Sequence, residues 1–515
     1  MGLGDYLTEN AKSFPDRIAI IQGERRIDFK ELNERANRLA NVLLSKGVKK
    51  GDHVSVMLLT RPEYVEIYFA CYKIGAASVH INARYVSKEI EYIANQSDSV
   101  AMILDEEFVD HINPIRSNLK NVKDYLCIGK NIPGDMSDYE KLLDEASSDD
   151  PKIEVGGDDV AFIIYTGGTT GEPKGAVWTH GAAMDFLDRF GGDALGAVFK
   201  GVSILSVSPF YHIKGWIVST PFLCMGCTLV LTGSRSFNSR EVMEIIEREK
   251  VKIMCTVGDK TARDILDLPD LDKYNTKSLM AIMSGAAKFS AETKREIWKH
   301  FKRLILIDSV GQSESLILTK VYLPGSKLDS NVFDTVLPGT EKRVVDEEGN
   351  DVKPGEIGEL IYNNLPMMRE YYKDPSKTAE VMKEGWYYSG DLYQLNEDGS
   401  VRLIGRKKET IVSGGEKIHP PEVEDVLRSN PNVSDAVVMG IPDVKWGESV
   451  MALVKLKKGA QATEEELIQY CKEHIASYKK PRYVEFVDSF PTTEAGKILK
   501  AKLKEEYKDY GKKRG

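Results

Sequence analysis

From Asp28 onward the chain alternates between two hydrophobic rhythms. Leu32, Ala36, Leu39 and Leu43 recur at three- and four-residue intervals, which predicts a helix capped by Asp28 and stopped at Gly47. The apolar run 54–59 then reads as a buried strand, 63–74 as a helix and 78–81 as a short strand. A helix over 87–95 and a strand over 101–105 follow. Strands alternating with helices imply a largely parallel sheet covered on both faces, and the pattern repeats from 162 to 308.

The texture changes after about residue 330. Turn-rich pieces at 347–350 and 353–355 separate short strands and predict a β-rich subdomain over about 330–405. Beyond 405 the pattern predicts a compact α+β unit, with a helix from 422, strands near 436–439 and 450–456, a helix over 464–475 and a strand over 483–487. The expected class is therefore α/β, in two parts. A large N-terminal domain of α/β sheets with its β-rich subdomain spans 1–405, and a small α+β domain spans 406–515.

Composition narrows the function. Of 515 residues, 42% are apolar and 29% charged, ordinary for a globular protein, and the net charge is −9. Without a basic excess to neutralise phosphates, nucleic acid is not the expected partner, whereas a polyanionic small ligand needs only a local pocket. The N-terminus lacks the basic-then-apolar pattern of a signal segment. The longest apolar stretch, 216–231, is broken by Pro221 and Gly226, so no transmembrane segment is predicted and the expected location is cytoplasmic. Cys224 and Cys227 form a C-x-x-C, but no second ligand pair stands at metal-site spacing, and buried thiols in an apolar segment are the expectation.

The segment richest in chemistry is 164–175, Ile-Tyr-Thr-Gly-Gly-Thr-Thr-Gly-Glu-Pro-Lys-Gly, which follows an apolar strand. Gly167, Gly168 and Gly171 let the backbone turn its N–H groups inward as an anion-binding nest. Thr166, Thr169 and Thr170 add hydroxyl donors and Lys174 a cation, a set suited to a di- or triphosphate. It is not a Walker A loop, because Gly175 follows Lys174 where a hydroxyl for magnesium is required.

This loop resembles the Y-T-S/G-G-T-T-G-x-P-K-G signature of the adenylate-forming superfamily, and further signatures follow in order to about Lys500. The resemblance implies ATP, Mg²⁺ and coenzyme A as ligands and a carboxylic acid as substrate. Within Asp308-Ser-Val-Gly-Gln-Ser-Glu, it implies that Asp308 accepts from the adenine amino group, Ser313 contacts the α-phosphate and Glu314 holds Mg²⁺. Many relatives carry an aromatic residue at position 310, where this chain has Val310. Asp391, in Tyr-Ser-Gly-Asp, and Arg406 correspond to ribose ligands, and Lys408 to the hinge of a mobile C-terminal domain. Lys497, in Pro-Thr-Thr-Glu-Ala-Gly-Lys, corresponds to the catalytic lysine that bridges carboxylate and α-phosphate. His212, in Ser-Pro-Phe-Tyr-His-Ile-Lys-Gly, corresponds to a gate between the acyl pocket and the pantetheine tunnel. Gly414, Gly415, Glu416 and Trp446 match positions along the coenzyme A route. Gly285 and Ala286 fall to the nucleotide site and, with Ile213, Met283 and Leu316, to the apolar lining of the acyl site.

The implied reaction is acyl-adenylate formation followed by transfer to coenzyme A. Gly311 stands where acetate-using relatives have tryptophan, so the expected acid is a medium- or long-chain fatty acid or another bulky acid, aryl and alicyclic acids included. Lys214 is unusual beside such a pocket, and either reaches solvent or pairs with a second polar group on the substrate. An amino-acid-activating enzyme is the rival class. It usually places an Asp just past the position of Phe210, where Tyr211 and His212 follow here. A non-catalytic nucleotide-binding protein is a further alternative, against which the joint presence of Lys497, Glu314, Asp391 and Arg406 speaks. Oligomeric state is open, and a homodimer is compatible with the resemblance.

Overall fold

A computed structural model of the chain describes residues 1–166, 172–192, 200–443, 445–492 and 498–510, without the side chains of Leu316 and Ile317. They fall into two compact units. The first comprises Met1–Ser330, Thr335–Thr340 and Asn364–Glu380; the second comprises Asn331–Asp334, Glu341–Asn363 and Val381–Gly515.

The first unit holds two sheets. Its nine-stranded sheet runs Thr335–Val336, Leu316–Tyr322, Ile305–Gly311, Ala281–Gly285, Ile253–Thr256, Ser203–Ser206, Thr228–Leu231, Ile18–Gln22 and Arg25–Asp28. From Ile305–Gly311 to Ile18–Gln22 every pairing is parallel, and antiparallel strands close both edges. Its eight-stranded sheet takes the early strands His53–Met57, Ala77–His80 and Ala101–Asp105, together with Val160–Thr166 and Lys174–Thr179. The alternation predicted from the hydrophobic pattern is present, although the chain feeds two sheets rather than one.

Local signals act as expected. The Asp28 carboxylate accepts from Glu31 N–H at 2.7 Å and caps the helix Phe29–Ser45, which ends before Gly47 at φ +86°. The helix Leu3–Ser13 and the hairpin of Ile18–Gln22 with Arg25–Asp28 precede the region the pattern covered. The apolar stretch 216–231 resolves into most of the helix Ile213–Cys224 and the strand Thr228–Leu231. No helix of the described residues is long and apolar enough to cross a membrane. Cys224 and Cys227 are both buried, and burial pushes both thiols up, that of Cys227 to about 11.

Beneath the nine-stranded sheet, Leu205, Met254, Ile282 and Leu306 pack against Val242, Ile246 and Ile297 of the helices. Parallel strands that end together leave their connecting loops on one edge, the usual place for a ligand in such sheets.

The second unit contains a six-stranded antiparallel sheet built around Ile357–Asn363, Trp386–Leu395 and Val401–Arg406. It also holds a five-stranded sheet around Val433–Asp443 and Gly447–Leu456, with Tyr483–Phe486 parallel at one side. The helices Pro420–Ser429 and Glu464–His474 cover the latter, and Val423, Leu427, Val438, Leu467 and Val484 meet in its core. Residues 341–363 and 381–405 of the β-rich segment thus group with the C-terminal segment in the second unit, while 335–340 and 364–380 belong to the first. The last helix of the described residues is Lys500–Tyr507.

Candidate active site

Thr166 and Lys174, at the two ends of the phosphate-loop segment, belong to a two-stranded hairpin. Val160–Thr166 pairs antiparallel with Lys174–Thr179, so Thr166 lies directly across from Lys174 at the base of the loop. Gly167, Gly168, Thr169, Thr170 and Gly171 lie outside the described residues. Gly175 is required by packing, since a Cβ there would stand 2.8 Å from Ile163 Cγ2 and 3.0 Å from the Tyr165 ring.

Two aromatic side chains fasten the Asp308–Glu314 segment to this hairpin. Trp178 Nε1–H donates to Ser313 O at 2.9 Å, and Tyr371 O–H donates to Glu314 Oε1 at 2.7 Å. The ammonium of Lys174 stands over the Tyr371 ring, 5.2 Å from its centre. Tyr371 belongs to Glu370–Tyr371, which pairs along the outer edge of Lys174–Thr179. Lys174, Ser313 and Glu314, far apart in sequence, are thereby gathered at one place in the first unit. Sequence reasoning passed over both Tyr371 and Trp178, whose only signal is an aromatic residue at each strand.

Asp308 is buried in the strand Ile305–Gly311, with Lys294 of the helix Ala291–His300 donating to its Oδ2 at 2.6 Å. Lys294 also donates to Asp329 O at 3.0 Å and faces the Tyr322 ring, 4.3 Å from its centre. Burial pushes the Asp308 carboxyl up to about 6 despite Lys294, and burial likewise holds Lys294 below the usual ammonium range despite Asp308. Oδ1 receives no hydrogen bond from a described residue, so one carboxylate oxygen is available to a ligand donor. Val310 and Gly311 sit at an irregularity in the pairing with Leu316–Tyr322, and Gly311 is exposed.

Gly285 ends its strand where a Cβ would meet Ser309 Oγ at 2.8 Å and Ser309 O at 2.9 Å. Ala286 follows at φ +66°, a left-handed conformation that strains a non-glycine residue by about 1–2 kcal/mol. Lys214 does not reach for solvent, which corrects the first of the two sequence-based alternatives. Its Nζ–H groups donate to Thr256 O and, at 3.0 Å, to Gly285 O, and burial lowers its ammonium to about 8. Ile213 and Met283 are half-buried in the same region, and the side chain of Leu316 is not described.

His212 is the N-cap of the helix Ile213–Cys224. Its loop is held from below by Tyr68 O–H, which donates to Phe210 O at 2.6 Å. Gly215 admits the loop, because a Cβ there would lie 2.6 Å from Phe210 Cα. Behind it His80 is sealed, and burial, reinforced by the nearby His212, lowers its imidazole to about 3, so it stays neutral.

In the second unit Asp391 and Arg406 face each other across paired strands. Arg406 Nε and Asp391 Oδ1 are 2.7 Å apart, a close charge contact rather than an aligned hydrogen bond. Gly390 at φ +69° lets its N–H reach Glu359 Oε1 at 3.0 Å, and Lys407 donates to Glu359 Oε2 at 2.8 Å. Lys408 lies exposed in the short turn Lys407–Glu409.

Gly414 and Gly415, at φ +62° and +88°, form the two-residue turn between Ile411–Ser413 and Glu416–Ile418, with Glu416 exposed. Gly414 N–H donates to Trp446 O at 2.8 Å, and a Cβ at Gly414 would stand 2.7 Å from the Trp446 ring. Those two predicted positions are therefore in direct contact. Lys497 lies outside the described residues; among the described ones Thr492 pairs with Ile498. Lys500, just beyond, is held by Glu424 at 2.9 Å and Glu409 at 3.4 Å.

Comparison with known proteins agrees with this geometry. A model described as AMP-binding enzyme matches residues 7–372, and one described as AMP-binding enzyme C-terminal domain matches 422–497. The 3-oxocholest-4-en-26-oate–CoA ligase of Rhodococcus rhodochrous is 33% identical over 96% of this chain and 94% of its own. The medium/long-chain-fatty-acid–CoA/3-oxocholest-4-en-26-oate–CoA ligase of Mycolicibacterium smegmatis is 33% identical over 96% and 95%. Among solved structures, the anthranilate CoA ligase AuaEII in complex with anthranoyl-AMP superposes with a TM-score of 0.90 at 25% identity, covering 99% of this chain and 98% of that one. Matched by its family over both its long and its short segment, and by full-length CoA ligases, the chain belongs to the AMP-binding enzyme family of adenylate-forming ligases.

Proposed function

We propose that the protein is an AMP-forming acyl-CoA synthetase that converts a medium- or long-chain fatty acid, or another bulky carboxylic acid, to its coenzyme A thioester through an acyl-adenylate. The observation that carries the reading is the gathering of Lys174, Ser313 and Glu314 by Tyr371 and Trp178 at the end of the phosphate-loop hairpin. The size of the acid is supported by relatives named for medium- and long-chain fatty acids and a steroid acid, and by exposed Gly311 at the strand end.

In the first half-reaction the carboxylate attacks the α-phosphorus of ATP and pyrophosphate leaves. Two anions must meet, so the protein's task is charge neutralisation and positioning. Lys174 and the loop N–H groups oppose the departing pyrophosphate, Lys497 bridges carboxylate and α-phosphate, and Ser313 contacts the α-phosphate. Asp308 Oδ1 accepts from the adenine amino group, and Asp391 with Arg406 takes the ribose hydroxyls. Among the described residues no group of three or more acidic, His or Cys side chains stands ready for a metal. Mg²⁺ suits such a site, since it needs only one or two carboxylates beside phosphate and water oxygens. Glu314, with one oxygen held by Tyr371 and the other left to a ligand, would hold it, and the ion would offset phosphate charge. In the second half-reaction the thiol of coenzyme A attacks the adenylate carbonyl and AMP departs. His212 gates the thiol's approach, and the segment after Lys408, a domain of residues 406–515, turns to present Gly414, Gly415, Glu416 and Trp446. The proposal places the enzyme in the cytoplasm.

The test is release of pyrophosphate and AMP with a panel of acids, with and without coenzyme A. Acid-dependent pyrophosphate release and coenzyme A-dependent AMP release are expected. Amino-acid-dependent pyrophosphate release alone would favour the rival class, and no release with any acid would overturn both.

A further inference from the structure

Lys214 is a cation that the fold does not compensate. It is the second residue of the helix Ile213–Cys224, and the positive end of a helix dipole disfavours a positive charge there. Desolvation disfavours the charge further. No carboxylate among the described residues pairs with it, and Asp308, whose charge acts on it from a distance, is already engaged by Lys294 at 2.6 Å. Its acceptors are two main-chain carbonyls, Thr256 O and Gly285 O, at the carboxyl ends of neighbouring parallel strands. An ammonium has three donors, so one N–H remains unassigned.

The surroundings show where that donor can be reached. The strand Ile253–Thr256 is sealed and Ala281–Gly285 nearly so, Met283 at its middle being half-buried; just beyond the strand end Ala286 is exposed, and Ile213 is half-buried. Lys214 itself is only half-buried and keeps some accessible surface. It also grips the carbonyl immediately before Ala286, the residue strained at φ +66°. A costly, uncompensated charge beside local backbone strain at a sheet's carboxyl edge is characteristic of a ligand-reading position. A group that served only to brace two strand ends would need donors but no charge.

We propose that Lys214 reads an acceptor oxygen on the acyl substrate, so that the preferred acids carry a keto or hydroxyl oxygen on their skeleton instead of plain hydrocarbon. The inference rests on the acyl-CoA synthetase reading and names the substrate class of that site. A charge-assisted hydrogen bond in a dry pocket discriminates strongly against a substrate that cannot make it, because the ammonium is then left without its third partner.

The experiment compares the full-length enzyme with Lys214→Met and Lys214→Gln. The substrates are medium-chain and alicyclic acids, each paired with derivatives whose single keto, hydroxyl or terminal carboxyl group is walked along the skeleton. In the wild type, kcat/KM at one substituent position should exceed that of the parent acid by roughly tenfold to a hundredfold. Both variants should lose that ratio. Lys214→Gln keeps donors for the two carbonyls, so it guards against a variant that does not fold, with thermal unfolding as the check. A preference only for the carboxyl derivative would replace the neutral oxygen class by a second anion and overturn the class named. An unchanged ratio in both variants, or an equal loss with every acid, reduces Lys214 to a brace and overturns the proposal while leaving the synthetase reading intact. A wild type that forms no AMP with any acid defeats the synthetase reading itself.

Discussion

Lys294 Nζ and Asp308 Oδ2 stand 2.6 Å apart with their side chains 0% and 5% exposed, leaving Asp308 Oδ1 as the available acceptor at the strand's end. The carboxyl titrates at about 6 in the folded protein against an ordinary 3.8. Between those values the folded chain holds a proton that the unfolded chain has lost. The stabilisation this gives is complete below the unfolded value and disappears as pH rises through about 6. The proposed nucleotide recognition runs the other way, because only the ionised form can accept from Lys294 at Oδ2 and from an amino group at Oδ1 together. The expected outcome is that kcat/KM for ATP falls as pH drops through about 6. An analogue lacking the 6-amino group should show no such fall, and a steady-state pH profile with both nucleotides decides the matter.

Replacing Lys294 by methionine removes the cation that favours the charged carboxyl. Asp308 should then titrate higher still, moving the acid limb of the ATP profile toward neutrality. At pH 7 the variant should lose most of its preference for ATP over the 6-desamino analogue. Breaking a buried pair costs about 3–5 kcal/mol, which a denaturant titration would register. If KM rose equally for both nucleotides, Lys294 would be a packing residue alone.

Lys497→Ala should slow adenylation by about 10²–10³, the usual loss for one positioned charge donor. Transfer from preformed acyl-adenylate to coenzyme A should change far less. Single-turnover assays of the two half-reactions give the comparison, and parallel losses would remove Lys497 from the first step.

Lys408→Pro addresses the hinge. The residue is exposed in the turn Lys407–Glu409, where proline restricts φ and removes an N–H. Acid-dependent pyrophosphate exchange should survive, while thioester formation should fall by an order of magnitude or more. A variant with normal thioester formation would show that the second half-reaction does not turn on this residue.

Much of the architecture was legible because it rests on local rules. The Asp28 cap, the stop at Gly47 and the strand–helix alternation each need only a few neighbouring residues. The motif segments were equally plain, since glycines such as Gly175 and Gly215 answer to close contacts that no other residue tolerates. What escaped was the support behind the motifs. Lys294 lies in Ala-Glu-Thr-Lys-Arg-Glu-Ile-Trp-Lys-His, which reads as a solvated charged helix, and only the packing of that helix against its sheet carries the ammonium beneath Asp308. Tyr371 stands 57 residues from Glu314 in sequence, and nothing near it announces the bond. Lys214 was conspicuous, yet its carbonyl partners come from two strands the sequence cannot place side by side.

Tyr371 has a consequence for anyone who would retune this enzyme. One phenol supports an ammonium on its ring face and anchors a carboxylate through its hydroxyl. Lys174 and Glu314 cannot therefore be adjusted separately from this side. Phenylalanine would keep the platform and release the acid, whereas leucine would surrender both, and grading the two substitutions would separate a steric support from an electrostatic one.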